Sequence, residues 1–153
     1  MYKFGFRLEP VLNLKTQIED NAKNNLARSA RELERQQECL EELKSLKETS
    51  MGELSAEIAN GVPAHKIRGY NSYFSLMKNK IINQKENVNI AQNDVDINRE
   101  ALVAAMQERK IIEKLKEKKY QEYLKEQNKS EQQLIDELNS FKYKDGSGEH
   151  DAR

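Results

Sequence analysis

Apolar residues recur along the first part of the chain with the spacing of a coiled coil. From Leu8, alternating steps of four and three residues meet an apolar side chain at about half of the positions. The apolar positions are Leu8, Leu12, Ala22, Leu26, Leu33, Leu40, Leu43 and Leu54. The positions that interrupt this stripe are Lys15, Glu19, Ser29, Gln36, Lys47, Ser50 and Glu57. A period near 3.5 residues predicts a helix that packs its stripe against a partner helix.

A second and fuller stripe begins at Ile67. Its apolar members are Ile67, Tyr70, Phe74, Met77, Ile81, Val88, Ala91, Val95, Leu102, Ala105 and Ile112, and it is interrupted at Gln84, Asn98, Arg109 and Lys116. Neither Gly nor Pro occurs in residues 11–51 or in residues 70–145, and the helix breakers Gly52, Gly61, Pro63 and Gly69 lie between these two tracts. We therefore predict helix 1 over about 8–60, a turn at about 60–64 and helix 2 over about 64–142. The predicted fold is all-α: a long antiparallel two-helix coiled-coil hairpin, with residues 1–143 as a single domain.

The short turn sets the register between the helices. If Asn60 lies beside Ala64, residues whose numbers total about 124 lie opposite one another. Leu12 then meets Ile112, and helix 2 outruns helix 1 by about 25 residues. This C-terminal helix overhang has its own stripe, formed by Tyr120, Leu124, Leu134, Leu138 and Phe141. We expect the overhang either to bind another protein or to fray, and we expect the polar, Gly-containing tail 144–153 to be disordered.

Composition excludes several classes of protein. Charged residues make up 34% of the 153-residue chain, and 26 basic residues balance 26 acidic ones, which argues against a nucleic-acid partner. No apolar run is long enough for a membrane span, so direct membrane insertion is not expected. One cysteine rules out a disulfide scaffold. The N-terminus has no long apolar segment of the kind found in signal peptides, and a cytoplasmic protein is expected.

The chain shows no catalytic or metal-binding constellation. His65 falls in the turn region, His150 in the tail, and Cys39 on helix 1, where we expect it to be a small filler beside the stripe. This spacing suits neither a Cys/His nucleophile nor a metal site, and no Gly-rich phosphate loop precedes a helix. We predict a protein that is not an enzyme and has no cofactor and no metal.

Aromatic residues gather at the two ends of the predicted hairpin. Tyr70, Tyr73 and Phe74 cluster at the closed tip, and Tyr2, Phe4 and Phe6 come close to Tyr120 and Tyr123 at the open end. A basic run over residues 109–119 lies near the open end. We interpret both ends as contact surfaces. The alternatives are that the aromatic residues only hold the ends of the helices together and that the basic run is a solvated helix face.

Four motifs, in order, resemble the flagellar export protein FliJ family. They are FRLEPVLNLK (residues 6–15), YNSYFSLMKNKI (70–81), RKIIEKLKEKKYQEY (109–123) and IDEL (135–138). The resemblance implies a soluble component of the flagellar type III protein export apparatus, similar to the central stalk of rotary ATPases. It implies three partners: the flagellar export ATPase hexamer, the cytoplasmic domain of the export gate membrane protein, and export chaperones. It also implies a general chaperone or chaperone-escort role, peripheral to the cytoplasmic face of the cell membrane at the flagellar base.

The resemblance and the register together suggest two sets of binding residues. The set expected to bind the ATPase at the open end is Leu8, Val11, Leu12, Ile112, Lys114, Leu115, Lys116, Lys118, Lys119 and Tyr123. The set expected to bind the export gate at the tip is Tyr70, Tyr73, Phe74 and Met77. Two other functions stay open at this point: a structural coiled coil that self-associates through the overhang, and a holdase that grips unfolded proteins.

Overall fold

The computed structural model describes residues 2–147, which form two long helices and no strand. Helix α1 covers Glu9–Ala59, with 51 residues, and helix α2 covers Ala64–Ser147, with 84 residues. The two helices pack against each other as an antiparallel coiled-coil hairpin. The predicted all-α hairpin is therefore confirmed.

Local chemistry places the helix ends at the turn. Gly61 has a positive φ of 82°, a conformation that glycine adopts without steric cost, and its N–H donates to the Ile58 carbonyl at 3.2 Å. Pro63 accepts a hydrogen bond from the Lys66 N–H at 3.1 Å, at the start of α2. The signals of glycine after one helix and proline before the next therefore predicted this turn correctly.

Helix α2 ends later than predicted. It reaches Ser147, so residues 144–147, expected in a disordered tail, belong to the helix. The prediction stopped with the apolar stripe at Phe141, but backbone hydrogen bonds along a helix do not require an apolar side chain at every turn. Lys144, in the last turn, also suits the negative end of the helix dipole. The rest of the predicted tail, 148–153, lies outside the described residues.

Contacts divide the chain into two compact units, each described by itself. The turn unit is Gln17–Met106 and contains the turn between the helices. The terminal unit consists of the residues up to Thr16 and those from Gln107 onward.

In the turn unit, the buried side chains lie on the predicted stripes. Helix α2 buries Met77, Ile81, Ala91, Val95 and Ala105, each no more than 8% exposed. Helix α1 instead buries three polar side chains, Glu19, Ser29 and Ser50, at positions that interrupt its stripe. The period of the pattern, rather than the polarity of each residue, decides which face is buried.

A hydrogen-bonded polar layer crosses the turn unit near the middle of α1. The Gln84 Nε2 donates to both the carbonyl and the side-chain oxygen of Gln36, at 2.9 and 2.7 Å. Gln36 in turn donates to Glu32 Oε1 at 2.8 Å. This pairing lies within about one helical turn of the predicted register. Because a half-buried amide finds its partners in few alignments of the helices, the layer favours this register over neighbouring ones.

The terminal unit has the same register. Lys15 pairs with Glu108 and Lys116 pairs with Glu9, both at 2.9 Å between nitrogen and oxygen. Leu12 is the buried apolar side chain of α1 here, at 9% exposure.

The last part of α2 has no covering partner among the described residues. All side chains of residues 128–146 are exposed, and we call these residues the uncovered segment. It begins later than the expected overhang, because the extended N-terminal residues lie against α2 as far as Tyr123. Its apolar side chains are open to solvent: Phe141 is 68% exposed and Leu134 is 58% exposed.

Within residues 2–147, no helix combines the length and the apolar character that crossing a membrane requires.

Candidate docking surfaces

The N-terminal segment before α1 is held to α2 by aromatic rings. Phe4 packs edge-on against Tyr120, with ring centroids 5.2 Å apart, and against Tyr123 at 5.5 Å. The Tyr123 hydroxyl donates a hydrogen bond to the Tyr2 carbonyl. Edge-to-face and tilted ring pairs at these distances stabilise the contact beyond the area they bury. The ring contacts and the hydrogen bond together hold this extended segment in place, although it is not part of a helix.

This arrangement forms an aromatic groove of about 680 Å³, which we call the terminal groove. It is lined by Tyr2, Lys3, Phe4, Gly5, Phe6, Arg7, Leu8, Leu115, Lys119, Glu122, Tyr123 and Glu126. Family-like motifs from the two distant parts of the sequence thus contribute to one surface. An aromatic floor with a charged rim is the composition typical of protein interfaces.

The residues predicted to bind the ATPase divide into two groups in the structure. The apolar ones and Tyr123 are buried or half-buried: Leu8, Val11, Leu12, Ile112, Leu115 and Tyr123. Lys116 pairs with Glu9, and Lys119 pairs with Glu122 at 3.2 Å. Lys114 and Lys118 are exposed and have no ion pair within residues 2–147. These two lysines are the members of the set that are free to meet an acidic surface.

Sequence reasoning included some lining residues of the terminal groove and missed others. Leu8, Leu115, Lys119 and Tyr123 were in the predicted set, whereas Phe4 and Glu126 were not. Phe4 could have been included from the predicted register, because that register places Phe4 opposite Tyr120.

The turn unit has a second open groove of about 650 Å³, which we call the turn groove. Its lining residues come from the end of α1 and the start of α2: Ser50, Glu53, Glu57, His65, Lys66, Gly69, Tyr70 and Tyr73. Of the residues predicted to bind the gate, Tyr70 and Tyr73 line this groove. Phe74 lies behind them, with ring centroids 6.2 Å from Tyr70 and 5.7 Å from Tyr73. Met77 is 3% exposed, so it belongs to the packed interior rather than to the surface.

The turn groove contains an unsatisfied carboxylate oxygen. Glu57 Oε2 is buried and has no hydrogen-bond partner. Burial raises the pKa of Tyr70, as do its hydrogen bond to Glu57 and the charges of Glu57 and Glu53. In the sequence, Glu57 stands out only as an interruption of the stripe.

The other chemically capable residues are scattered. No group of three or more His, Cys, Asp or Glu side chains in the described range could hold a metal ion. Cys39 is exposed, so the expected filler role beside the stripe is wrong; its position on the helix turns it toward solvent. His65 lines the turn groove, and His150 lies outside the described residues.

Two long paired helices, with a groove in each unit, define a coiled-coil hairpin. Residues 4–148 match the family model described as flagellar FliJ protein. The chain therefore belongs to the FliJ family, as the motifs suggested, and is a coiled-coil protein of the flagellar export class.

Two known proteins are similar to this chain along most of its length. The flagellar FliJ protein of Bacillus subtilis (strain 168) is 25% identical over 135 residues, which cover 88% of this chain and 92% of that protein. The solved structure of CT670 from Chlamydia trachomatis, described as a proposed YscO homolog, has a TM-score of 0.66 and 24% identity. The structural match covers 95% of this chain and 99% of the CT670 chain, so it supports the fold along nearly the whole length.

Proposed function

We propose that this protein is a stalk-like component of the flagellar type III export apparatus, working in the cytoplasm at the membrane face of the flagellar base. The terminal unit binds the export ATPase ring, and the turn unit binds the cytoplasmic domain of the export gate. Export chaperones are the third class of partner, for which the protein acts as an escort. The protein itself hydrolyses nothing.

The observation that carries this proposal is the meeting of two family-like motifs in the terminal unit. Residues 6–15 and 109–123 are far apart in sequence but pack together, with Lys116 paired to Glu9. Lys114 and Lys118, which form no ion pair within residues 2–147, add positive charge to the same stretch of α2. Exposed positive charge in the same unit as an aromatic groove favours an acidic docking surface on the partner.

The test is the hydrolysis rate of the cognate flagellar export ATPase with and without this protein. We expect stimulation, and we expect Lys114→Glu with Lys118→Glu to reduce it about tenfold, because the reversed charges repel an acidic surface. These exposed positions are better probes than Leu12, whose burial makes a charged substitution unfold the unit.

A matched control reverses two exposed lysines of the turn unit, Lys78→Glu with Lys80→Glu, which should leave stimulation unchanged. Absence of stimulation by the wild-type protein, together with absence of co-elution, would contradict the ATPase contact. An equal loss in both double variants would show a general charge effect instead.

The uncovered segment favours a second candidate function, a scaffold that self-associates. Leu134, Leu138 and Phe141 lie on one face of the helix, and each is more than half exposed. A mass that rises with concentration in sedimentation equilibrium, with no partner present, would support this function. A constant monomer mass would exclude it.

A further inference from the structure

We propose that the turn groove receives a basic side chain, an arginine or a lysine, from the partner that docks on the turn unit. This inference rests on the proposed gate contact and specifies its chemistry. It is argued from the shape, the charge and the walls of the groove.

The groove has room for a long side chain. It is open to solvent and measures about 650 Å³. Gly69, inside α2, contributes to this space: a Cβ atom at this position would have no other atom within 4 Å. A glycine inside a helix lowers stability by about 1 kcal/mol relative to alanine. At Gly69 the protein therefore loses some helix stability and keeps the groove free of a side chain.

The charges in the groove leave a negative surplus. Glu53 and Glu57 both line it, and neither forms an ion pair with a residue in 2–147. His65 and Lys66 lie on the same lining, but the Lys66 ammonium is not bonded to either carboxylate. A cation therefore finds two uncompensated carboxylates against one ammonium group.

One oxygen of the Glu57 carboxylate also lacks a donor in the free protein, although Tyr70 hydrogen-bonds to this carboxylate. Its Oε2 is shielded from water without a hydrogen bond in exchange. Leaving a buried acceptor unsatisfied is unfavourable, and more so for a charged group. Glu57 lines the groove, so a guanidinium or an ammonium group held there can donate an N–H to this carboxylate. Charge-assisted hydrogen bonds of this type are stronger than neutral ones.

Two tyrosine rings provide walls that suit a cation. Tyr70 and Tyr73 line the groove beside the carboxylates, and both are half-buried. Lysine and arginine groups are attracted to the face of an aromatic ring at distances within about 6 Å. Arginine also stacks its planar group on such rings while it donates to a carboxylate. An anionic group would be repelled here, and an apolar side chain would leave Glu57 Oε2 without a donor.

The first experiment tests the groove with a small probe, independently of the gate. N-acetyl-arginine amide is titrated into the full-length protein, and the NMR signals of the tyrosine rings and glutamate side chains are followed. We expect saturable shifts at Tyr70, Tyr73 and Glu57, and none with the neutral citrulline analogue. Glu57→Gln should weaken binding at least tenfold, whereas Glu48→Gln, an exposed α1 position outside the groove, should not.

Equal responses to the two probes, or undiminished binding by Glu57→Gln, would overturn the inference. A second variant removes space instead of charge: Gly69→Leu should narrow the groove and weaken the shifts, while helicity by circular dichroism is unchanged. Arginine binding as strong in Gly69→Leu as in the wild type would also overturn the inference.

The second experiment separates this inference from the proposed function. Binding of the export gate cytoplasmic domain is measured for the wild type and for Glu57→Gln. Loss of affinity in the variant supports both proposals. Equal affinity of the wild type and the variant overturns the proposal that the groove receives a basic side chain, and it leaves the proposed gate contact intact. If the gate domain does not bind while the arginine probe does, the gate contact fails and the preference of the groove for a cation stands.

Discussion

Single polar residues inside the packed face of α1 determine much of the specificity of the hairpin. Glu19, Ser29 and Ser50 are buried, and Gln36 bonds across to Gln84. Leucine at all these positions would pack more apolar area but would tolerate several alignments of the helices. Polar side chains that can form their hydrogen bonds in only one alignment make the hairpin somewhat less stable, but they define its register.

Removing one member of the Gln36–Gln84 pair should destabilise the hairpin. Gln36→Ala removes the side-chain acceptor of the Gln84 amide and leaves the backbone carbonyl in place. We expect a loss of about 0.5–1.5 kcal/mol in the free energy of unfolding, the net value of one hydrogen bond. Urea unfolding followed by circular dichroism measures it. The neighbouring Gln37 is exposed, so Gln37→Ala should change stability by less than about 0.5 kcal/mol. Equal effects of the two substitutions would contradict a role for the polar layer.

Tyr70 should ionise later than an ordinary tyrosine. Its pKa is raised by burial and by Glu57, so the folded state holds this proton more tightly than the unfolded chain. The stabilisation is therefore complete below the ordinary value near 10 and is lost as the pH rises through the folded pKa. Absorbance at 295 nm should show a late component that Tyr70→Phe removes and that Glu57→Gln shifts downward. A late component unaffected by Tyr70→Phe would refute the assignment.

Among the elements, α2 differs along its length in what covers it. Between Met77 and Ala105 it is packed on α1, whereas residues 128–146 expose every side chain. Isolated helices are marginal in water, since most helical stability in proteins comes from packing. The two parts of this helix should therefore differ in stability although the backbone is continuous.

Hydrogen exchange should reveal this difference. Amides of residues 128–146 should exchange much faster than those of residues 77–105, because local opening there breaks few side-chain contacts. Mass spectrometry of peptic peptides measures both regions in one sample. If both regions were equally protected at every protein concentration, the uncovered segment would not be uncovered in solution. If protection of residues 128–146 fell when the protein was diluted, the segment would be covered by self-association.

Two glycines, Gly61 in the turn and Gly69 inside α2, should respond to alanine with stability changes of opposite sign. Alanine at either position meets no atom within 4 Å, so the backbone alone decides the outcome. Gly69→Ala should stabilise the protein by about 1 kcal/mol, because the position is inside a helix. Gly61→Ala should destabilise it by a similar amount, about 1 kcal/mol, because φ is positive there. Denaturant midpoints of the two variants should lie on opposite sides of the wild type.

For the whole molecule, the sequence was most informative about the fold. The hairpin, the turn and the register followed from periodicity and from Gly61 and Pro63, which act locally. The surfaces were only partly predictable. The attachment of Phe4 belongs to an extended segment with no helical period, and the isolation of Glu57 Oε2 depends on how neighbouring side chains fill space. Such features arise from packing, which no spacing rule describes.

The two surfaces should be separable by mutation. Tyr73→Ala with Phe74→Ala should weaken binding of the export gate domain about tenfold and leave ATPase binding unchanged, because truncating interface aromatics removes most of their binding energy. Lys114→Glu with Lys118→Glu should have the converse effect. Affinities of both partners for both variants test this, with helicity as the control for folding. If each variant weakened both partners equally, the proposal of two distinct docking surfaces would fail.

The uncovered segment has a consequence for the lifetime of the protein in the cell. Proteases cut preferentially where a chain opens easily, and a helix without lateral packing opens more often than a packed one. A partner that covers Leu134, Leu138 and Phe141 would close this entry point. Copies that find their assembly would persist, and surplus copies would be degraded. The amount of the protein would then follow the number of assembly sites without any separate regulator.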